Sequence, residues 1–243
     1  MTIHITFATA RRVLAQLRRD PRTLALLLIV PCVLMTLVRY VFAPSVFDRI
    51  GSSLLGLFPF VVMFAVTATT TLRERTVGTL ERLLTMPLGK LDLLLGYAVA
   101  FGGATLGQVG LVAALALGPL GLDVTGSIWL VIAIALLGGL VGTALGLFLS
   151  AFATSEFQVG QFMPAFVLPQ LLLSGMFGPR AEMAAGLRWL SAAFPLTYTV
   201  DAMQRVTVGE GLTGWMWRDL LVLASSGLLA LVLGAATLRR QSA

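Results

Sequence analysis

The sequence predicts an all-α integral membrane protein: six transmembrane helices, an N-terminal interfacial helix, a short charged helix at one membrane face and re-entrant helices before the last span. Three observations carry this expectation. Hydrophobic residues make up 58% of the 243 and charged residues only 12%, with a mean hydropathy of +0.94, far more apolar than a soluble domain. Apolar runs long enough to cross a bilayer, about 20 residues each, recur along the chain. Between two of them, Ile50 to Leu72 and Leu93 to Leu122, lies the segment Arg73 to Lys90, RERTVGTLERLLTMPLGK. Its charges would each cost several kcal/mol at the bilayer centre, so it belongs at a surface.

Six spans take about half of the chain and leave no room in these 243 residues for a separate soluble catalytic domain, so 1–243 reads as one transmembrane domain. In the first 22 residues, Ile3, Phe7, Ala10, Leu14 and Leu17 recur at helical spacing, while Arg11, Arg12, Gln16, Arg18 and Arg19 lie off that stripe. This is an interfacial helix with its basic face toward the headgroups. A cleaved signal peptide does not fit, because the following apolar run is too long and no small-residue cleavage site appears. Asp20-Pro21 breaks the helix, and the first span is 23–43, with Pro31 as a kink and Arg39 close enough to the far end to snorkel. The second, 50–72, contains Pro59 and ends in Thr67, Thr69, Thr70 and Thr71, hydroxyls that can bond back to their own helix.

The third and fourth spans, 93–118 and 127–153, are separated by a turn around Pro119, Gly121, Asp123 and Gly126. Gly103 and Gly107 in one, and Gly138, Gly142 and Gly146 in the other, repeat at a spacing that lets helix backbones approach within the molecule. The fifth span, 157–178, carries Gln158, Gln161, Pro164, Pro169, Gln170 and Ser174, too polar for a lipid-facing helix, and is expected to face protein or a polar path. Residues 179–217 are too charged, and too broken by Pro195, Gly209, Gly211 and Gly214, to span. Met183, Leu187, Leu190 and Phe194 share a face there, as in an interfacial or shallow re-entrant helix. The last span is 220–238, closed by Arg239 and Arg240.

An even number of spans puts both termini on one side. That side takes eleven of the 17 basic residues, among them Arg11, Arg22, Arg73, Lys90 and Arg240, and is therefore cytoplasmic together with Arg73 to Lys90. The arginines cluster at span ends rather than forming a stripe interleaved with aromatics, so the sequence pI near 10.7 reflects topology and not nucleic-acid binding. Cys32 and His4 are the only residues of their kinds, which leaves neither an intramolecular disulfide nor a Cys/His metal cluster. Spans two to six hold no ionisable residue between their ends, against an ion-coupled carrier, and no paired carboxylates or Ser/His arrangement for hydrolysis. A GxxxxGK[ST] nucleotide loop is excluded, since Lys90 precedes Leu91. Any uphill transport must take its energy from a partner.

Within the charged segment, Val77, Leu80, Leu83 and Leu84 fall on one side of a short helix, a form suited to a groove on another protein or to a plain surface connector. Glu74-Arg75-x-x-Gly78-Thr79-Leu80-Glu81-x-Leu83-x-x-x-Pro87 resembles the segment after the second span in type-2 permeases of bacterial ATP-binding cassette exporters, the daunorubicin-type drug-efflux class. Phe194-Pro195-Leu196-Thr197-Tyr198, then Asp201-Ala202-x-x-Arg205 and Gly209, is similar to that family's stretch before the last span, and Pro169 to Gly178 to its fifth span. The resemblance covers nearly the whole chain.

It implies a half-transporter in a bacterial plasma (inner) membrane, two permeases, identical or sister chains, docked on two soluble ATPase subunits that bind the ATP and magnesium, with no cofactor in this chain. Residues 73–90 would be the coupling segment, with Arg73, Glu74, Arg75, Gly78, Thr79, Leu80, Glu81 and Pro87 facing the ATPase. The exit path would be lined from spans one, two and five. Thr67, Thr70, Gln158, Gln161, Gln170 and Ser174 are its candidate polar residues, with Met35, Met63, Met163 and Met176 as adaptable apolar ones. Such a path suits a hydrophobic or amphipathic drug, antibiotic or lipid-like substrate. Pro195, Tyr198, Asp201 and Arg205 form the outer motif, and the loop between spans four and five departs from the commoner pattern in holding only Glu156 and no basic residue. Two other readings stay open on the residues alone: a membrane assembly or regulatory subunit that recruits a cytosolic partner, and an ion-coupled carrier.

Overall fold

The computed structural model describes residues 3–78 and 90–237, and every structural statement below concerns those residues. All regular structure in them is helical. α1 is Ile3–Arg19, α2 Pro21–Val41, α3 Pro44–Thr76, α4 Lys90–Leu117, α5 Ile128–Ser150, α6 Glu156–Leu173, α7 Ala185–Ala192, α8 Pro195–Thr207 and α9 Gly214–Thr237, with a 3-10 turn at Arg180–Glu182. Helices α2, α3, α4, α5 and α9 are long and apolar enough to cross a membrane.

The predicted fifth span corresponds to α6. Its 18 residues, about 27 Å of helical rise, start beside the last turn of α3 and end at the opposite pole. Three glutamines and two prolines leave it less apolar than the other five, which is why it does not stand out by composition.

α3 is the axis of the molecule. The predicted span 50–72 is longer at both ends: Pro44 at the first helical position starts it early, and Arg73, Glu74 and Arg75 form its last turn instead of a separate surface segment. The helix stops at Gly78, whose φ of +74° provides the left-handed residue that closes a helix C-terminus, with its amide donating to the Arg75 carbonyl. The most extensive helix contact in the structure joins α3 to α5. It is made by glycines: a Cβ on Gly142 would lie 2.1 Å from the Phe60 carbonyl oxygen, and one on Gly146 2.5 Å from that of Phe64. Gly138 completes the row beside Gly56 and Thr199. Gly103 and Gly107 behave otherwise, since nothing lies within 4 Å of a Cβ built on either, so the close approach expected from their spacing is absent.

α1 lies against α4 and, less extensively, α2, and reaches α3 through the Arg12–Glu74 ion pair. Ala10, Val13 and Leu17 are buried on Tyr97, Ala100 and Phe101, and Thr9 seats against Gly96. Phe7, assigned by periodicity to the apolar stripe, points outward instead. α2 touches the core through the buried Leu27, Pro31 and Met35 and the half-buried Leu24, Leu28, Cys32 and Val38, while Ile29, Val33 and Leu37 are exposed. At the far end of α2, Arg39 donates to the Leu120 carbonyl at 2.9 Å, capping the α4–α5 turn.

The region 179–217 contains a core element that sequence reasoning missed. α8 buries Leu196, Val200, Ala202, Met203 and Val206 completely against α3, α5 and α9. It is only 13 residues long, about 20 Å, so it enters the bundle without crossing it, in keeping with a re-entrant helix.

Candidate functional site

Helices α2, α3 and α6 enclose an elongated groove of about 980 Å³. Its walls are aliphatic and aromatic: Leu26, Val30 and Leu34 from α2, Phe58, Val61 and Ala65 from α3, Met163, Val167 and Leu171 from α6. Pro31 and Pro164 also line it, and the stacking of Phe64 on Phe166, 5.7 Å between ring centres, fixes α6 against α3 outside its lining. These are spans one, two and five of the sequence reading.

All charge in the groove is gathered at the α1 pole, where Arg19, Asp20, Arg22, Arg73 and Glu156 meet. The Arg73 guanidinium reaches both oxygens of Glu156, at 2.5 and 3.0 Å, and Asp20 at 3.2 Å. One side chain at the end of α3 thereby ties the starts of α2 and α6 together across the groove mouth. Asp20 is also the N-cap of α2: its carboxylate accepts from the Thr23 hydroxyl at 2.7 Å and from the Arg22 and Thr23 amides. The Thr23 hydroxyl and these amides, aided by Arg73, hold its carboxyl below the usual carboxylate range.

Of the six candidate path residues, Thr70 lines the groove. Thr67 is buried on the other face of α3 against Gly146. Its hydroxyl and that of Thr71 make no hydrogen bond to any described residue, so the expected bond to their own helix does not form. Gln158 lies in the first turn of α6, its backbone amide donating to the N-cap Ser155 and its side-chain oxygen accepting from the Thr154 amide and hydroxyl. Gln161 is exposed outside the groove, whereas Gln170 and Ser174 are buried and donate back to Phe166 and Leu171. Met163 lines the groove; Met35, Met63 and Met176 are core residues. The residues missed were Asp20, Arg22 and Glu156, whose signal was a charge immediately before or inside a helix start.

The coupling candidates divide. Arg73 closes the groove mouth, and Arg75 donates to the Ser150 carbonyl at the end of α5. Gly78 ends α3, while Thr79, Leu80, Glu81 and Pro87 lie outside the described residues. Glu74, only 5% exposed, is turned inward: it pairs with Arg12 of α1 at 3.1 Å and accepts from the Tyr97 hydroxyl of α4. It thus binds the two helices flanking residues 79–89 to α1.

At the opposite pole, the outer motif builds a charge network. Pro195 starts α8, and the Tyr198 hydroxyl donates to the Ala192 carbonyl at 2.7 Å. Asp201 accepts from Arg180 at 3.0 Å, and Arg205 from the same face of α8 pairs with Glu210 at 3.2 Å. Asp219 of α9, fully buried, accepts twice from Arg218, which covers the Trp215 ring at 4.8 Å. Tyr198, Asp201 and Arg205 are spaced to face α9 and the 3-10 turn together.

This is a polytopic helical membrane protein with a lateral apolar groove, and the described residues contain no group of side chains able to hold a metal ion. The ABC-2 type transporter family matches residues 5–207, and the chain belongs to that family. It is 29% identical over 170 residues to the inner membrane transport permease YhhJ of Escherichia coli (strain K12), and 26% identical over 170 to the probable multidrug ABC transporter permease YbhR of the same organism. In each case 69% of the chain and 46% of the relative are covered. ABC transporter G family member 20 of Dictyostelium discoideum is 24% identical over 166 residues, 68% of this chain and 23% of that protein. The chain thus spans about half the length of the bacterial relatives it matches.

Proposed function

We propose that the chain is the membrane-spanning permease subunit of an ATP-driven exporter in a bacterial inner membrane, carrying a hydrophobic or amphipathic molecule out of the cytoplasm. The observation that carries this reading is the groove between α2, α3 and α6, the three spans expected to line the path. Family membership and the transport activities for which the bacterial relatives are named support it. The α1 pole, rich in arginine, faces the cytoplasm and both termini lie there. A separate ATP-binding cassette ATPase binds the nucleotide and magnesium and docks on the coupling segment, residues 73–90; a second permease, identical or a sister chain, completes the pair.

In this reading the groove takes substrate from the inner leaflet, its apolar walls replacing lipid around the tail. Motion of the docked segment is passed to the spans through the turn that ends α3, where Glu74 holds α1 and α4. The test is co-expression with a candidate ATPase. Replacing Gly78 and Glu81 is expected to lower substrate-stimulated ATP hydrolysis and efflux while membrane insertion is unchanged; undiminished activity would overturn the assignment. Transport that survives ATP depletion but collapses with the proton gradient would overturn the energy source.

A further inference from the structure

The groove is asymmetric in charge, and that asymmetry selects a ligand. We infer that it takes an amphiphile with an anionic headgroup and a long apolar tail, the headgroup seated among Arg19, Arg22 and Arg73 at the α1 pole. This rests on reading the groove as the substrate path and names the substrate's chemistry. Among the described residues Arg19 and Arg22 form no ion pair, and both are exposed at the mouth. Arg73 is the third cation, and the only carboxylates lining the groove, Asp20 and Glu156, are both bound to it. The mouth therefore carries three cations against two anions, with both anions already engaged. A cationic headgroup would have to strip Arg73 of its partners and sit beside two free guanidiniums. An anionic one meets those two directly and can then replace Glu156 or Asp20 on Arg73, forming the charge-assisted bonds that guanidinium makes with phosphate or carboxylate oxygens.

The exchange has a structural consequence. Arg73 is what joins α2, α3 and α6 at the mouth, so an anion that takes its hydrogen bonds frees α6 from α3 at that end. From Phe58 to Arg73 the α3 wall runs fifteen residues, about 22 Å of helical rise, and past the mouth threonines its lining is wholly apolar. That length matches an extended acyl or prenyl tail. The headgroup can be a phosphate or a carboxylate, and the amphiphile a resident membrane lipid or an exported molecule; the chemistry is shared.

The test needs no ATPase, so it fails or succeeds independently of the transport reading. Leu34→Trp places a fluorophore deep in the groove, and Ile29→Trp places one on the outward face of α2, with each signal read as the difference from the parent chain. The purified chain is reconstituted in vesicles of dioleoylphosphatidylcholine with increasing brominated phosphatidylglycerol or, in parallel, brominated phosphatidylcholine. We expect phosphatidylglycerol to be favoured about tenfold at position 34, with no preference at 29 and the preference abolished in Arg19→Gln/Arg22→Gln. Equal quenching by both lipids at position 34, an identical preference at 29, or no quenching there because a second copy of the chain covers the groove would each overturn the inference. Added dodecyl phosphate separates the sources: rapid displacement of the brominated lipid marks an exchangeable, substrate-like amphiphile and slow displacement a resident lipid, and both support an anionic occupant.

Discussion

Single residues fix the α1 pole. Arg12 pairs with the buried Glu74, and removing it takes that ion pair from a carboxylate that Tyr97 also holds. Because the Arg12 side chain is still 30% exposed, the loss is smaller than for a fully buried pair, and Arg12→Ala is expected to destabilise the protein by about 1–3 kcal/mol. Thermal unfolding in detergent reads this as a lowered midpoint; an unchanged midpoint would mean the pair is not holding α1. Asp20 gives a second prediction, with a pH signature. Its carboxyl is held below the ordinary value of 3.8, so its stabilising bonds are fully present above that value and are lost as pH falls through the lower, folded one. Asp20→Ala should cost about 1 kcal/mol at neutral pH, as for other N-caps. The gap between variant and parent should stay constant from neutral down to weakly acidic pH and close only below 3.8.

At the scale of elements, the apolar runs located the helices, whereas their ends and contacts were only partly legible. The charges of Arg73, Glu74 and Arg75 suggested a surface segment, yet a helix continues through charged residues when each finds a partner. Glu156, Arg12 and the Ser150 carbonyl supply those partners from distant parts of the chain. α8 was hidden because Pro195 and Asp201 look like breaks in an apolar pattern, while Asp201 is paired with the distant Arg180 and the helix buries Leu196, Val200, Met203 and Val206. The glycine repeats illustrate the same limit: equal spacing in α4 and α5 gave opposite environments, since spacing defines a face and not what meets it. Gly142→Ala should therefore force α5 off the Phe60 carbonyl and cost about 1–3 kcal/mol. Gly103→Ala, with open space around it, should be neutral or stabilising by up to about 1 kcal/mol through helix propensity. Unfolding midpoints that fell equally in the two variants would contradict the packing of α3 on α5.

Across the whole molecule, the two poles are built differently. At the outer pole six charged side chains, Arg180, Asp201, Arg205, Glu210, Arg218 and Asp219, knit the 3-10 turn, α8, α9 and the α8–α9 loop into one network. At the α1 pole, the groove between α2, α3 and α6 is bridged by Arg73 alone. Loss of one residue should leave the redundant network standing, but loss of Arg73 should release the groove mouth, because Glu156 and Asp20 have no other ion pair among the described residues. The exposed position of this bridge keeps its contribution to global stability small, within about 1 kcal/mol. Arg73→Gln should therefore leave the unfolding midpoint nearly unchanged and act locally instead. In a Cys32→Ser background, a cysteine at Thr70, just inside the mouth, should react several-fold faster with a membrane-impermeant maleimide once Arg73 is replaced. Neutralising Arg180 at the outer pole should not change that rate. Equal rates with and without Arg73 would show that packing of α6 on α3, led by Phe64 and Phe166, keeps the mouth closed without the ion pair.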